Sequence, residues 1–260
     1  MPAKFDLYIY RFFLVWYAIG VVLLTFDLVP PWLEWANVVF LVTSGFLGMI
    51  YFYRSQSRIL GIMVVIFIFV LSIAIESFGV HTGLFFGEYS YQADFGPKVI
   101  GVPVTIGFAW VMVIATSHVL AAPLVNIVHH FSRIIYSVYG AFIAVSLDLI
   151  LDPVAFEVKQ YWVWHEGGFY YDIPFSNFLG WFILSFVLHF IISLVFFRRG
   201  EWRNLQHSFW KEKMLYLYGM MVVMFVIIAA VNGLILAPVI VIFLTAVFYV
   251  IYNKLQRKYR

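Results

Sequence analysis

An all-α, polytopic integral membrane bundle of about eight transmembrane helices is the architecture this chain calls for, and three observations carry that expectation. First, 64% of the 260 residues are hydrophobic and only 11% are charged. Soluble globular chains run near about 45–50% apolar and about 25% charged, and a chain of this size has too little polar material to cover such an excess in water. Second, eight apolar runs each approach the roughly 20 residues a helix needs to cross a bilayer: residues 8–28, 33–53, 59–79, 99–122, 133–151, 174–197, 213–231 and 234–252. Third, with the N-terminus placed in the cytoplasm, every Lys and Arg except Lys98 and Lys159 falls on the cytoplasmic side, the bias that sets membrane orientation. The composition excludes a soluble enzyme, a disordered chain and a nucleic-acid binder. The net charge of +3 comes from basic residues in loops between apolar runs, and no nucleic acid is an expected partner.

The elements follow in order. The first run comes after Lys4 and Arg11, as in a signal peptide, but ends in Asp27, Pro30 and Pro31 with no small-residue cleavage site, so it is expected to be a retained helix. The second is flanked by Trp32 and Trp35 and ends before Arg54 and Arg58. The third ends near Glu76. The fourth has Pro103 near its start, where a missing N–H costs nothing, and His118 inside it. The fifth runs from Arg133 to Asp148 and Asp152, with His129 and His130 just before it, beside lipid headgroups or water. The sixth starts near Pro174, with Ser176 and Asn177 placed to bond free backbone groups. The last two runs are separated only by Asn232-Gly233. Two counts stay open: eight spans with a tight final hairpin, or seven with a re-entrant segment. An odd count would put the basic C-terminal tail on the wrong side. The expected organisation is a single transmembrane domain over residues 1–260, multi-pass in the cell membrane, with both termini cytoplasmic and membrane lipid as a surrounding partner. There are no cysteines, so disulfides, thiolate metal sites and a Cys nucleophile are excluded.

The acids are distributed opposite to the bases. Of 13 Asp and Glu, only Asp6, Glu201 and Glu212 lie inside. Acids contribute little to topology, so the skew reflects either plain acidic outer loops or a polar site opening on that face. Two outer connections are long, near 80–98 and 152–173, and both are rich in Gly, Tyr and Trp. Loops of that length are commonly functional. They also resemble each other. Glu76 precedes Gly87, Tyr89, Tyr91 and Pro103, with Trp110 seven residues after the Pro; Asp148 precedes Gly168, Tyr170, Tyr171 and Pro174, with Trp181 seven residues after. A parallel internal repeat of 59–122 and 133–197 is one reading; coincidence among frequent aromatics is the other.

An ionisable side chain within a membrane helix is costly and needs a reason. Glu76 lies close enough to a helix end to be either an interfacial carboxylate or a carboxyl facing a polar cavity. Asp148 and Asp152 are four apart and share one helix face, so mutual repulsion keeps one of them protonated near neutral pH; the plainer reading of Asp152-Pro153 is a helix stop. His118 in an apolar run is expected to bond a neighbouring helix. His165-Glu166, beside Trp162 and Trp164, is a candidate site mouth. Trp32, Trp35, Trp162 and Trp164 fall where an aromatic belt is expected. There is no HExxH, acid-rich DDxxD-like cluster, P-loop or GxGxxG, and the seven His are scattered, so no metal and no cofactor is expected. Aromatic faces stabilise carbocations, and the 21% aromatic content, with a few carboxyls at one end, suits a long apolar substrate with cationic chemistry.

Several motifs together resemble the carotenoid-biosynthesis membrane protein family. The first half of the pattern is Glu76-Ser77-Phe78-Gly79-Val80-His81-Thr82-Gly83, Phe86-Gly87-Glu88-Tyr89-Ser90-Tyr91, Gly101-Val102-Pro103-Val104 and Trp110. The second is Asp148-Leu149-Ile150-Leu151-Asp152-Pro153-Val154-Ala155, Trp162-Val163-Trp164, Gly168-Phe169-Tyr170-Tyr171, Ile173-Pro174 and Asn177-Phe178-Leu179-Gly180-Trp181. The resemblance implies a cofactor-independent carotenoid hydratase that adds water to the terminal C1–C2 double bond of an acyclic (ψ) end group to give a tertiary alcohol. A carotenoid held in the bilayer is then the substrate, and other carotenoid-pathway enzymes are expected partners. A neutral acid would protonate the alkene and a carboxylate would deprotonate the attacking water. The expected acid is Asp148, with Glu76 or Asp152 as base, and Tyr89, Tyr91, Trp110, Trp164, His165, Tyr170, Asn177 and Trp181 line the substrate. One position departs from the pattern: Asp172 stands where the family would have Gly, adding an acid beside the expected site. A membrane lycopene cyclase, which replaces water capture with ring closure, a non-catalytic carotenoid- or lipid-binding protein, and a transporter are the alternative classes.

Overall fold

The structure, a computed structural model, describes residues 3–55, 57–126, 131–198, 201–202 and 208–258. Among the described residues eight helices are long and apolar enough to cross a membrane: α1 (Lys4–Thr25), α2 (Trp35–Ser55), α3 (Arg58–Thr82), α4 (Val104–Ala121), α5 (Ser132–Pro153), α6 (Phe175–Phe196), α7 (Ser208–Val231) and α8 (Leu236–Lys258). The protein is an all-α multi-pass membrane bundle. The open count resolves to eight, because α7 and α8 are separate helices joined by a tight link through Gly233, whose φ of +82° suits a residue without a Cβ. His129, His130, Arg199, Arg203 and Arg260 lie outside the described residues.

Helix α4 is the hub. It is buried over most of its length, whereas α1 is buried only at Asp6, Phe13 and Thr25. The tightest neighbours are α5 with α6 and α2 with α4. The start of α1 and the end of α8 sit at one end of the bundle, near the start of α7. There Asp6 accepts two hydrogen bonds from Arg54, at 2.7 and 3.1 Å, while Lys213 lies over the Tyr10 ring and Lys211 over Tyr252. At the far end Lys159 donates to Asp27 at 2.9 Å.

The far end carries the non-helical structure. Strand β1 (Tyr89–Tyr91) pairs antiparallel with β4 (Trp162–Trp164), so the two long connections join each other; β2 (Lys98–Val99) and β3 (Val102–Pro103) form a small hairpin before α4. The fourth apolar run thus begins as a hairpin, and the helix starts only at Val104. Near the opposite end β5 (Phe197–Arg198) pairs with β6 (Glu201–Trp202). Pro103 and Pro174 both sit immediately before a helix, with nearly the same extended backbone, φ −60° for each.

The α-helix α5 ends at Pro153, but the chain does not leave its helical path there. The chain continues through a wide π-type turn, Val154–Val158, in which Lys159 N–H bonds the Val154 carbonyl. A proline inside a helix frees the carbonyl four residues earlier, here that of Leu149. The Tyr170 hydroxyl donates to this oxygen at 2.8 Å, supplying the hydrogen bond that Pro153 cannot.

Candidate active site

A cavity of about 140 Å³ lies beneath the β1/β4 pair, between the far halves of the helices. Helix α3 supplies Glu76, α4 Trp110, α5 Asp152, and α6 Asn177 and Trp181. Strand geometry explains the roof. Side chains alternate faces along a strand, and the register Tyr89↔Trp164, Ser90↔Val163, Tyr91↔Trp162 turns all four aromatic residues inward to line the cavity. Ser90 is left on the other face. The roof is knit by rings: Tyr89 meets Trp164 at 5.0 Å and Tyr91 meets Trp162 edge-on at 6.4 Å between centroids. Below it Trp110 lies against Trp181 at 4.4 Å, a contact between the two Trp residues that each follow a helix-starting Pro by seven.

Close backbone approach seats this assembly. A Cβ on Gly180 of α6 would fall 2.7 Å from the Phe85 carbonyl oxygen. Gly87, at φ +100°, would place one 2.9 Å from Ser176 Oγ. Ser176 in turn donates to the Phe86 carbonyl at 3.2 Å. The loop after α3 is thereby locked onto the first turn of α6.

The carboxyls are buried and organised differently. Glu76 accepts from the Tyr89 hydroxyl at 2.5 Å on one oxygen and from the Trp110 indole N–H at 3.0 Å on the other. Asp148 and Asp152 are joined by one amide: Asn177 Nδ2 donates to Asp148 Oδ2 at 2.9 Å and also to Asp152 Oδ2. The second oxygen of Asp148 is buried without a hydrogen-bond partner. The buried indole N–H of Trp162 lies within electrostatic reach of Asp152 but makes no hydrogen bond of normal geometry, and that of Trp164 is also unpaired. Burial, reinforced by the Glu76 charge, holds the Tyr89 and Tyr91 phenols well above their ordinary range, so both remain O–H groups. Among the described residues no three His, Asp or Glu side chains converge as a metal site.

The structure brings most of the expected residues together. Glu76, Asp152, Tyr89, Tyr91, Trp110, Trp164, Asn177 and Trp181 line one cavity. Because α3 continues to Thr82, Glu76 sits deeper than its apolar run suggests. Three expectations are corrected. Asp148 is fully buried behind Asp152 and does not line the cavity. His165 is exposed on the outer face of the roof, where its ring shares a hydrogen bond with Ser90 at 3.2 Å. Tyr170 points away to the Leu149 carbonyl, which Pro153 leaves without its helical donor. The belt reading also divides: Trp32 and Trp35 are 74% and 53% exposed as belt residues are, whereas Trp164 is 8% exposed in the roof.

Asp172 is a further correction. It is exposed and shares a tight turn with Tyr171, closed by the Ile173 N–H on the Tyr170 carbonyl at 3.0 Å. Tyr171 and Asp172 have φ of +49° and +52°. The turn asks for left-handed residues, which Gly provides and Asp tolerates. The departure is therefore a matter of backbone conformation; it places no acid in the cavity. What the sequence reading missed were Trp162, Tyr161 and the α7 wall of Met221, Met224 and Phe225. Trp162 was legible from its alternation with Trp164; the α7 residues carry no local signal.

These features define a multi-pass membrane protein whose buried carboxyls and aromatic rings converge on one apolar cavity. The sequence pattern of the family described as "Carotenoid biosynthesis protein" matches residues 36–251, and the chain belongs to that family. It is similar to the bisanhydrobacterioruberin hydratase of Haloarcula japonica, with 28% identity over 137 residues that cover 52% of this chain and 45% of that protein. The matched segment thus spans about half the length of that curated relative. No solved structure matches the chain.

Proposed function

We propose that the protein is a carotenoid 1,2-hydratase that adds water across the terminal C1–C2 double bond of an acyclic end group. The observation that carries this reading is the pairing, on one apolar cavity, of two differently held carboxyls, Glu76 and Asp152. An alkene needs a proton donor and then a water activated by a base, and the two carboxyls must hold opposite protonation states. Glu76, with a donor on each oxygen, is suited to be the ionised member. Asp148 and Asp152, held together by Asn177, are suited to share one proton, because two adjacent buried carboxylates repel.

In this mechanism Asp152 delivers its proton to the less substituted alkene carbon, and the π electrons form the new C–H bond. The positive charge left on the tertiary carbon faces the rings of Trp110, Trp181 and the roof, which stabilise cations. A water oxygen bonds to that carbon and gives its proton to Glu76. Proton return from Glu76 to the aspartate pair completes the net addition of one water. Asp148 acts through Asp152 as a positioning residue. The similarity to a hydratase supports the reading.

The test is expression in cells that make a ψ-end carotenoid, grown in ¹⁸O-labelled water. The expected product carries a tertiary hydroxyl with the label. A cyclised, unhydroxylated product would instead identify a cyclase, and unchanged pigment would count against catalysis. The basic end of the bundle is proposed to face the cytoplasm of a cell membrane, supported by the Lys and Arg distribution; reporter fusions at both termini test it.

A further inference from the structure

The cavity has two unlike ends. At one, Glu76, Asp152 and Asn177 are buried under the roof. The other is bounded by Leu24 of α1, Phe40 and Leu41 of α2, and Met221, Met224 and Phe225 of α7. These six side chains are apolar; Asn37, one turn before Leu41 on α2, also lines the cavity. Leu24, Phe40, Leu41 and Phe225 are only half-buried; the half-buried roof residues Tyr91 and Trp162 lie on the loop side of the cavity, whereas these four lie on membrane-spanning helices, in the last turn of α1, the second turn of α2 and within α7. The cavity volume of about 140 Å³ is below the roughly 300–1,000 Å³ of pockets that enclose a drug-sized ligand. It can hold an end group and not a long polyene.

Helix α1 packs mainly on α2 and α7. Among the described residues its polar ties are the Asp6–Arg54 pair at its start, Lys213 over the Tyr10 ring, the Tyr17 hydroxyl on the Met220 carbonyl at 2.8 Å and the Trp16 indole on the Ala36 carbonyl at 3.1 Å, with the Lys159–Asp27 pair just past its end. Near Leu24 the neighbouring Thr25 hydroxyl is buried without a partner. Helix α1 also precedes the segment that the family pattern matches, residues 36–251.

We infer that the gap between α1, α2 and α7 is a lateral mouth to the bilayer. One end group of a long acyclic polyene sits at Glu76 and Asp152, and the rest of its chain leaves past Leu24 and Phe225 into lipid. This rests on the carotenoid reading above and adds to it the direction of binding and a consequence: only one end reacts per encounter. A substrate with two identical ends must leave and rebind, so the singly hydroxylated product is released first.

The test uses the full chain in lipid nanodiscs and a symmetric acyclic carotenoid, with a labelled pulse followed by excess unlabelled substrate. Label is expected mainly in the singly hydroxylated product. Label passing directly into the doubly hydroxylated product would overturn the inference. Leu24→Trp and Met224→Trp narrow the mouth, and each is expected to lower the ratio of kcat/KM for the carotenoid over a short acyclic isoprenoid with the same end group by about tenfold. That ratio does not depend on the fraction of protein folded, and an unchanged ratio in both variants overturns the inference. Quenching of tryptophan fluorescence by the polyene reads binding without turnover. If the unsubstituted protein quenches but hydroxylates nothing, the hydratase reading fails alone. The mouth then stands if the two variants weaken carotenoid quenching about tenfold and falls if they do not.

Discussion

Two of the buried polar clusters among the described residues are built on opposite plans. The first is the carboxyl cavity at the far end. The second lies toward the termini, where His118 Nδ1 shares a hydrogen bond with the Tyr136 hydroxyl at 2.6 Å and His189 Nε2 with Ser117 Oγ at 3.1 Å. The Tyr136 ring sits edge-on to both histidines, and Trp202 closes over His118 at 5.1 Å. Here the polar groups face each other across α4, α5 and α6, packed by Phe52 and Phe196. In the first cluster the groups face a shared space. Burial of a polar group in a membrane marks expense; convergence on a cavity is what separates a candidate site from a clamp between helices.

The comparison breaks first if the cavity carboxyls prove dispensable. Asp152→Asn keeps the shape and removes the acid, and is expected to lower hydroxylated product by on the order of 10³-fold, measured as initial rate on a ψ-end carotenoid with protein abundance held equal. Near-normal turnover would remove Asp152 from the mechanism. Next, Trp110→Phe retains a ring against Trp181 and takes one donor from Glu76. A hydrogen bond to a charged group is worth about 1.5–3 kcal/mol, so activity should drop roughly ten- to hundredfold.

The clamp should respond the other way. Tyr136→Phe strands His118 Nδ1 and is expected to cost about 1–2 kcal/mol of stability, read by unfolding in detergent, with turnover per folded molecule unchanged. A selective loss of turnover there would make the second cluster part of the chemistry. The smallest effect is expected at the exposed turn: Asp172→Gly relieves the left-handed backbone and should raise stability by roughly 0.5 kcal/mol, with no change in product. A change in product would return Asp172 to the site.

Much of this was legible in the chain. Each spanning helix is a local run of apolar residues, and the segregation of Lys and Arg sums over loops, so the eight-helix bundle followed from additive properties of short segments. Glu76 and Asp152 stood out because a carboxyl in such a run is rare. His118 was readable as a bond between helices, and Tyr136 fulfils it. Which carboxyl faces the cavity depended on helix rotation and on the π-type turn after Pro153, near which Tyr170 bonds the Leu149 carbonyl from a distant loop. Asp148 and Asp152 share a helix face, so their spacing alone could not separate them. Pairing of β1 with β4, with 70 residues between them, turned Trp162 and Trp164 from belt into roof. The fourth wall came from Met221, Met224 and Phe225, which in the sequence are ordinary lipid-soluble residues. Hydropathy and charge act residue by residue and are carried by the sequence itself. Convergence is a property of contacts between distant segments, and only the packed structure decides it.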